Sequence, residues 1–126
     1  MASARDLPAL PAPGQVLKRR VQQLLPEADF KSEPGARWSK ADLSELLRVV
    51  KAMSPQDRKA LGNVTFERTK EIGGAHGQEE FGEIDFRTRD GKPAPVIRLA
   101  NRSSQERSLG ATAAHEIGHA IQGRGF

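Results

Sequence analysis

The sequence predicts an α+β domain: helices come first, a small and mostly antiparallel sheet follows, and a long C-terminal helix comes last. Apolar residues recur at helical spacing in the first half of the chain. Residues 81–88 alternate between apolar and polar, and residues 96–100 form a short apolar run, as strands do. A capping box and a long amphipathic pattern then predict a helix from about 104 to 122.

The composition excludes several classes of protein. The chain has 126 residues, 20 Lys and Arg, 16 Asp and Glu and no Cys. The lack of Cys excludes disulfides, a thiol nucleophile and thiolate metal sites. There is no run of about 18 apolar residues, as a membrane helix needs, and no secretory signal at the start. The sequence therefore predicts a cytoplasmic protein, or one exported without a signal peptide.

The net charge of +4 comes from the first half of the chain. Residues 1–60 hold 11 basic and 7 acidic side chains, whereas residues 61–126 hold nine of each. The basic run Lys18-Arg19-Arg20 is typical of a solvated helix face. Nucleic-acid binding would call for interleaved aromatics or a known motif, and neither is present. We therefore predict no nucleic-acid or membrane partner.

The beginning of the chain predicts an arm, a helix and a connection. Residues 1–13 are Pro-rich and are predicted to be a disordered arm. Apolar spacing predicts the first helix over 15–25, which Pro26 ends. Residues 26–38 are polar and are predicted to be a connection without regular structure.

Two further helices begin with similar capping residues. Ser39 and Asp42 have the spacing of a capping box, and Trp38 is expected to pack against Leu43 at the helix entry. Ser54, with Asp57 three residues later, predicts the start of a second, short helix, which Gly62 ends. The predicted apolar stripe of the longer helix is Leu43, Leu46, Leu47 and Val50.

The sheet is predicted from three segments, at 64–66, 81–88 and 96–100. A turn signal at Asp90-Gly91 predicts that the last two are antiparallel. The glycine-rich residues 71–79, which include His76, are predicted to form a flexible loop.

The last helix is defined by its caps and its stripe. Ser103 and Glu106 form the predicted capping box, and Gly123 suits the position just after the helix ends. The stripe expected to face the sheet is Gly110, Ala114, Ile117 and Ile121.

This helix carries the residues that point to chemistry. His115 and His119 are four apart, so both imidazoles leave the same helix face and can reach one Zn²⁺. Glu116 follows the first histidine and can take a proton from a water held in an open metal position. The same carboxylate can return the proton to the leaving amine of a cleaved peptide. Gly118 leaves room beside the metal or against the sheet.

The segment from 96 to 122 resembles the strand and active-site helix of HExxH zinc metallopeptidases, the zincins. The form His-Glu-Ile-Gly-His is similar to gluzincins, among them lethal-factor-like toxin proteases and small proteases that cut bacterial repressors. The resemblance implies a hydrolase with zinc ligands His115 and His119 and the catalytic base Glu116. It also implies that the strand at 96–100 is a free edge that pairs with an extended protein or peptide substrate.

The sequence departs from these families at the third ligand. Metzincins need Gly and His where this chain has Gln122 and Gly125, and gluzincins take a Glu from a later helix. Only seven residues follow His119, and no Tyr is present to support an oxyanion. Residues 14–126 are thus expected to be a single zincin-like domain. Either this domain is the N-terminal part of a larger catalytic domain, or its third ligand lies upstream. The upstream donors to consider are His76, Glu79, Glu80, Glu83 and Asp85.

Two functions follow from these alternatives. The first is a zinc metallopeptidase that hydrolyses peptide bonds. The second is a non-catalytic zinc-binding module within a toxin, phage or secretion assembly. The third ligand distinguishes them, because an ion held by two histidines alone leaves an attacking water poorly oriented.

Overall fold

The protein is described by a computed structural model that covers residues 13–73, 79–101 and 109–123. Its helices are α1 (Pro13–Leu24), α2 (Lys40–Ala52), α3 (Pro55–Leu61) and α4 (Leu109–Gly123). Its strands are β1 (Asp29–Ser32), β2 (Thr65–Thr69), β3 (Ile72–Gly73), β4 (Glu79–Glu80), β5 (Gly82–Asp85), β6 (Thr88–Arg89), β7 (Lys92–Pro93) and β8 (Val96–Ala100). The predicted α+β class is confirmed.

Four strands form the main sheet, in the order β1-β2-β8-β5. Strand β2 is parallel to both β1 and β8, and β5 is antiparallel to β8. The antiparallel pairing predicted for the last two strands is thus confirmed. The prediction of a mostly antiparallel sheet is wrong for the main sheet, which is mixed: β2 and β8 are parallel, and β1, which was predicted to be part of a connection, adds a second parallel pair. Strands β3 with β4 and β6 with β7 form two small antiparallel pairs.

The helix starts follow the predicted capping chemistry. The amide of Asp42 donates to Ser39 Oγ at 3.0 Å, and the amide of Ser39 donates to the Asp42 carboxylate at 3.2 Å. The amide of Asp57 donates to Ser54 Oγ at 3.1 Å. Gly62 ends α3 with a φ of 62°, a left-handed backbone that suits glycine. Local sequence therefore determines where α2 and α3 begin and where α3 ends.

The core lies between the helices and one face of the sheet. Phe66 on β2 and Ile97 and Leu99 on β8 are fully buried on this face. The helices cover them with the buried residues Val21, Leu25, Leu43, Leu46, Leu47, Val50, Leu61, Leu109, Ala113, Ile117 and Ala120. The predicted stripe of α2 is therefore confirmed in full. None of the described helices combines the length and apolar character needed to cross a membrane.

Trp38 packs against β1, which the sequence did not predict. Its ring stands edge-on to Phe30, with centroids 5.5 Å apart, and its Nε1 donates to the Lys31 carbonyl at 3.0 Å. The ring contact of Trp38 thus joins the entry of α2 to the edge strand of the sheet.

Helix α4 docks through a stripe that differs from the predicted one. Ala113 and Ala120 are fully buried and Ile117 is 3% exposed, whereas Ala114 is exposed and Ile121 is half-buried. The docked face is therefore turned away from Ala114, and small residues at its centre allow close packing on the sheet.

Three predictions concern residues outside the described ones. They are the arm, apart from Pro13, which begins α1; the capping box of Ser103 and Glu106; and the loop position of His76.

A buried ion pair connects α2 to the sheet. Arg68 on β2 is 3% exposed and Asp42 is 4% exposed, and Arg68 Nε lies 3.3 Å from Asp42 Oδ2. The Arg68 guanidinium also donates to the Leu99 carbonyl and, at 3.0 Å, to Asn101 Oδ1. One side chain thus joins the N-terminus of α2 to the carboxyl ends of β2 and β8.

The docking of α4 predicts unequal effects for its two isoleucines. Ile117→Ala is expected to lower the free energy of unfolding by about 2–5 kcal/mol, because it leaves a cavity in the core. Ile121→Ala is expected to cost less, since that side chain is already half in solvent. Urea unfolding of both variants measures the difference. Losses well below about 1 kcal/mol for both would show that α4 is not docked.

Candidate metal centre

The two histidines of the motif lie side by side on the exposed face of α4. Their Nε2 atoms are 3.1 Å apart, and their rings meet edge-on with centroids 4.5 Å apart. Zinc–nitrogen distances of about 2.0–2.1 Å then give an angle of roughly 100° at a shared ion, near the tetrahedral value. This separation also allows a hydrogen bond between the rings when no ion is bound. His115 and His119 therefore fit two positions of a zinc site.

Glu116 lies on a different side of α4, beneath the edge strand β5. It is 7% exposed, in contrast to the histidines on either side of it. A Cβ atom added at Gly82 would lie 3.2 Å from Glu116 Cγ, 2.8 Å from Thr112 Cγ2 and 3.1 Å from the Arg98 carbonyl oxygen. Only glycine therefore fits where β5 crosses α4, and the stem of Glu116 is held between the helix and the strand.

The edge of the sheet next to α4 is β5, so the expectation for residues 96–100 is wrong. Strand β8 is hydrogen-bonded on both sides, by β2 and by β5. The Ala100 amide donates to the Phe81 carbonyl, and antiparallel alternation then turns the amides and carbonyls of Gly82 and Ile84 away from β8. Among the described residues no strand pairs with this outer side of β5. The edge available to a peptide is therefore β5.

The opposite face of β5 is fixed by an arginine. Arg98 Nε lies 2.8 Å from Glu67, and its Nη1 lies 2.9 Å from Glu83. Burial is the largest single influence and lowers the pKa of Arg98, but the hydrogen bonds and negative charges of Glu67 and Glu83 together outweigh it, so that the pKa stands above its ordinary value. Asp85 is paired with Arg87 at 2.8 Å. Because strand side chains alternate, Glu83 and Asp85 point away from the face on which Gly82 meets α4, and they are not placed to ligate the ion.

The structure does not locate a third ligand. The described residues contain no group of three or more His, Cys, Asp or Glu side chains arranged to hold a metal ion. His76 lies outside those residues, as do the side chains of Glu79 and Glu80, whose backbone forms β4.

Gly118 provides open space beside the histidines. A Cβ atom added there would meet no atom within 4 Å. The sequence suggested that this glycine leaves room either beside the metal or against the sheet. The second role does not apply, because no part of the sheet lies close to Gly118. The space lies on the exposed side of α4.

The two glycines predict opposite effects of the same substitution. Gly82→Ala is expected to lower the free energy of unfolding by about 1–3 kcal/mol, because the new methyl group overlaps Thr112 and the Arg98 carbonyl. Gly118→Ala is expected to raise it by about 0.5–1 kcal/mol, because alanine restricts the unfolded chain and favours the helix. Chemical denaturation of both variants tests this pair. Equal stability of the two would contradict the close contact between β5 and α4.

Comparisons of the chain with protein-family models, with curated proteins and with solved structures each found no match. The function proposed below therefore rests on the residues and geometry of α4 and β5.

Proposed function

We propose that this chain is a zinc-dependent metallopeptidase domain, in which His115 and His119 bind the ion and Glu116 is the catalytic base. One observation carries the proposal: two imidazole nitrogens converge to 3.1 Å on the same helix that holds the Glu116 carboxylate, 7% exposed, against β5.

Each group has a defined part in peptide hydrolysis. Zinc, when bound, supplies a Lewis acid that polarises the peptide carbonyl and acidifies water. Glu116 accepts the proton of the attacking water and passes it to the leaving amine. The contact between its stem and β5 limits the directions in which the carboxylate can point. This restriction favours proton transfer, which requires the base to be oriented before the reaction.

The expected substrate is an extended segment of a peptide or protein. The outward amides and carbonyls of Gly82 and Ile84 can extend the sheet by one strand. Because Gly82 lies directly over the stem of Glu116, a peptide bound there would pass beside the base. The exposed histidines leave the ion accessible from the same side.

The source of the third ligand decides between catalysis and metal binding alone. His76 is one candidate, and residues of a longer protein are another. If neither supplies a ligand, the second function applies, a non-catalytic zinc module of a toxin, phage or secretion assembly. Both functions require the same pair of histidines.

Zinc uptake tests the metal site directly. We expect the purified chain to bind one zinc ion at neutral pH, more weakly than a closed four-ligand site. His115→Ala and His119→Ala are expected to abolish this uptake. Gln122→Ala is the matched control, since Gln122 is exposed on the same helix but carries no ligand atom of the motif. Elemental analysis after dialysis gives the stoichiometry. No uptake by the wild type, or unchanged uptake by His115→Ala, would refute the site.

A further inference from the structure

The hydroxyl of Thr112 is buried without a hydrogen-bond partner. Thr112 lies on α4 and is 5% exposed, and among the described residues its Oγ1 has no hydrogen-bond partner. Buried hydroxyls are nearly always paired, because an unpaired one is costly. In the described part of the chain, Thr69 Oγ1 and Arg58 Nε are in the same condition, but neither lies on α4. Thr112 is therefore the unpaired polar group that belongs to the candidate site.

The geometry places this hydroxyl next to the catalytic base. Thr112 and Glu116 are four residues apart, so they are neighbours on one face of the helix. Both side chains contact the same point of β5: a Cβ at Gly82 would lie 2.8 Å from Thr112 Cγ2 and 3.2 Å from Glu116 Cγ. A helical threonine commonly bonds back to a carbonyl one turn earlier. Thr112 does not, so its proton remains available to a nearby acceptor.

We propose that Thr112 is a positioning residue for Glu116. Its hydroxyl donates to the Glu116 carboxylate when zinc is bound, and holds that carboxylate on the side of α4 nearest the histidines. A neutral donor bonds more strongly to a carboxylate than to a neutral acceptor. The inference rests on the proposed function, because a zinc ion must be present to attract the Glu116 carboxylate towards the histidines.

Two isosteric substitutions separate this role from a purely structural one. Thr112→Val and Thr69→Val remove the same group, a buried hydroxyl without a partner, from two different elements. We expect both variants, without metal, to melt at or above the wild-type temperature, because no hydrogen bond is lost. Zinc affinity is measured for each by competition with a chromophoric chelator. Supporting groups behind metal ligands commonly change affinity about 10–100-fold. Thr112 supports a carboxylate that attracts the ion without ligating it, so we expect a smaller effect, in which Thr112→Val weakens zinc binding at least about threefold.

The expected pattern is specific to one threonine. Thr69→Val should bind zinc as the wild type does, and Thr112→Ser, which keeps the hydroxyl, should bind more tightly than Thr112→Val. Equal zinc affinity of Thr112→Val and Thr69→Val would overturn the inference and leave the proposed function standing. Failure of the wild type itself to bind zinc would overturn both.

Discussion

Replacement of Glu116 by glutamine is expected to leave one zinc ion bound, because both histidines remain, and to lower the rate of peptide cleavage about 10²–10⁴-fold. The amide has nearly the shape of the carboxylate, so it fits the same place beneath β5. It cannot accept a proton from water, and the base is therefore lost while the two histidines remain. Cleavage of an unstructured protein substrate, with zinc added and with a chelator added, measures the effect.

Glu71→Gln is the control for this substitution. Glu71 is exposed and lies outside α4 and β5, so its amide variant should cleave as the wild type does. Cleavage that survives Glu116→Gln would eliminate the mechanism, whatever the zinc content. Zinc binding without cleavage by the wild type would instead support the non-catalytic module. Strong chelator-sensitive turnover would show that a third ligand is present, and His76 would be the first residue to replace.

Asp42→Ala is expected to lower the free energy of unfolding by about 3–5 kcal/mol. The loss arises mainly from Arg68, whose guanidinium would remain buried at 3% exposure without its carboxylate. The substitution also removes half of the capping box with Ser39. Urea unfolding followed by circular dichroism measures the change.

Asp57→Ala is the matched control, since both aspartates stand three residues after a serine that caps a helix. Asp57 is exposed, and its loss should cost only about 0.3–1 kcal/mol. Because the penalty comes from removing a carboxylate that pairs with a buried cation, Asp42→Ala combined with Arg68→Met should recover part of the stability. Equal losses for the two aspartates would show that the buried ion pair contributes nothing.

Local sequence predicted the elements whose signals are local. The capping of α2 and α3 and the bounds of β8 follow from neighbouring residues, and the structure confirms them. Strand β1 could not be predicted in this way, because Phe30 is the single apolar residue among its four and the strand exists through pairing with β2. The strand order was beyond local reasoning as well. The apolar run at 96–100 is typical of a central strand that is covered on both sides. The family resemblance had instead implied that this strand is a free edge.

The candidate site was predicted in part. The spacing of the motif placed His115 and His119 together, and the structure brings their nitrogens to 3.1 Å. The spacing of the motif could not reveal Gly82 or Thr112, because their importance depends on how closely β5 crosses α4. The one sequence signal for Gly82 is a glycine at the start of an alternating strand, which often marks a close approach of the backbone. The third ligand remains a prediction from the family resemblance.

The central position of β8 has a consequence for biosynthesis. This strand comes after the other three strands of the main sheet in sequence, yet it lies between β2 and β5. While the chain is being translated, β2 therefore keeps one edge unpaired until residues 96–100 have left the ribosome. Phe66 stays partly uncovered for the same time, and such surfaces promote aggregation and attract chaperones. Helix α4 docks later still, because its buried face rests on β8. Glu116 therefore reaches its place beneath Gly82 only after the sheet has closed.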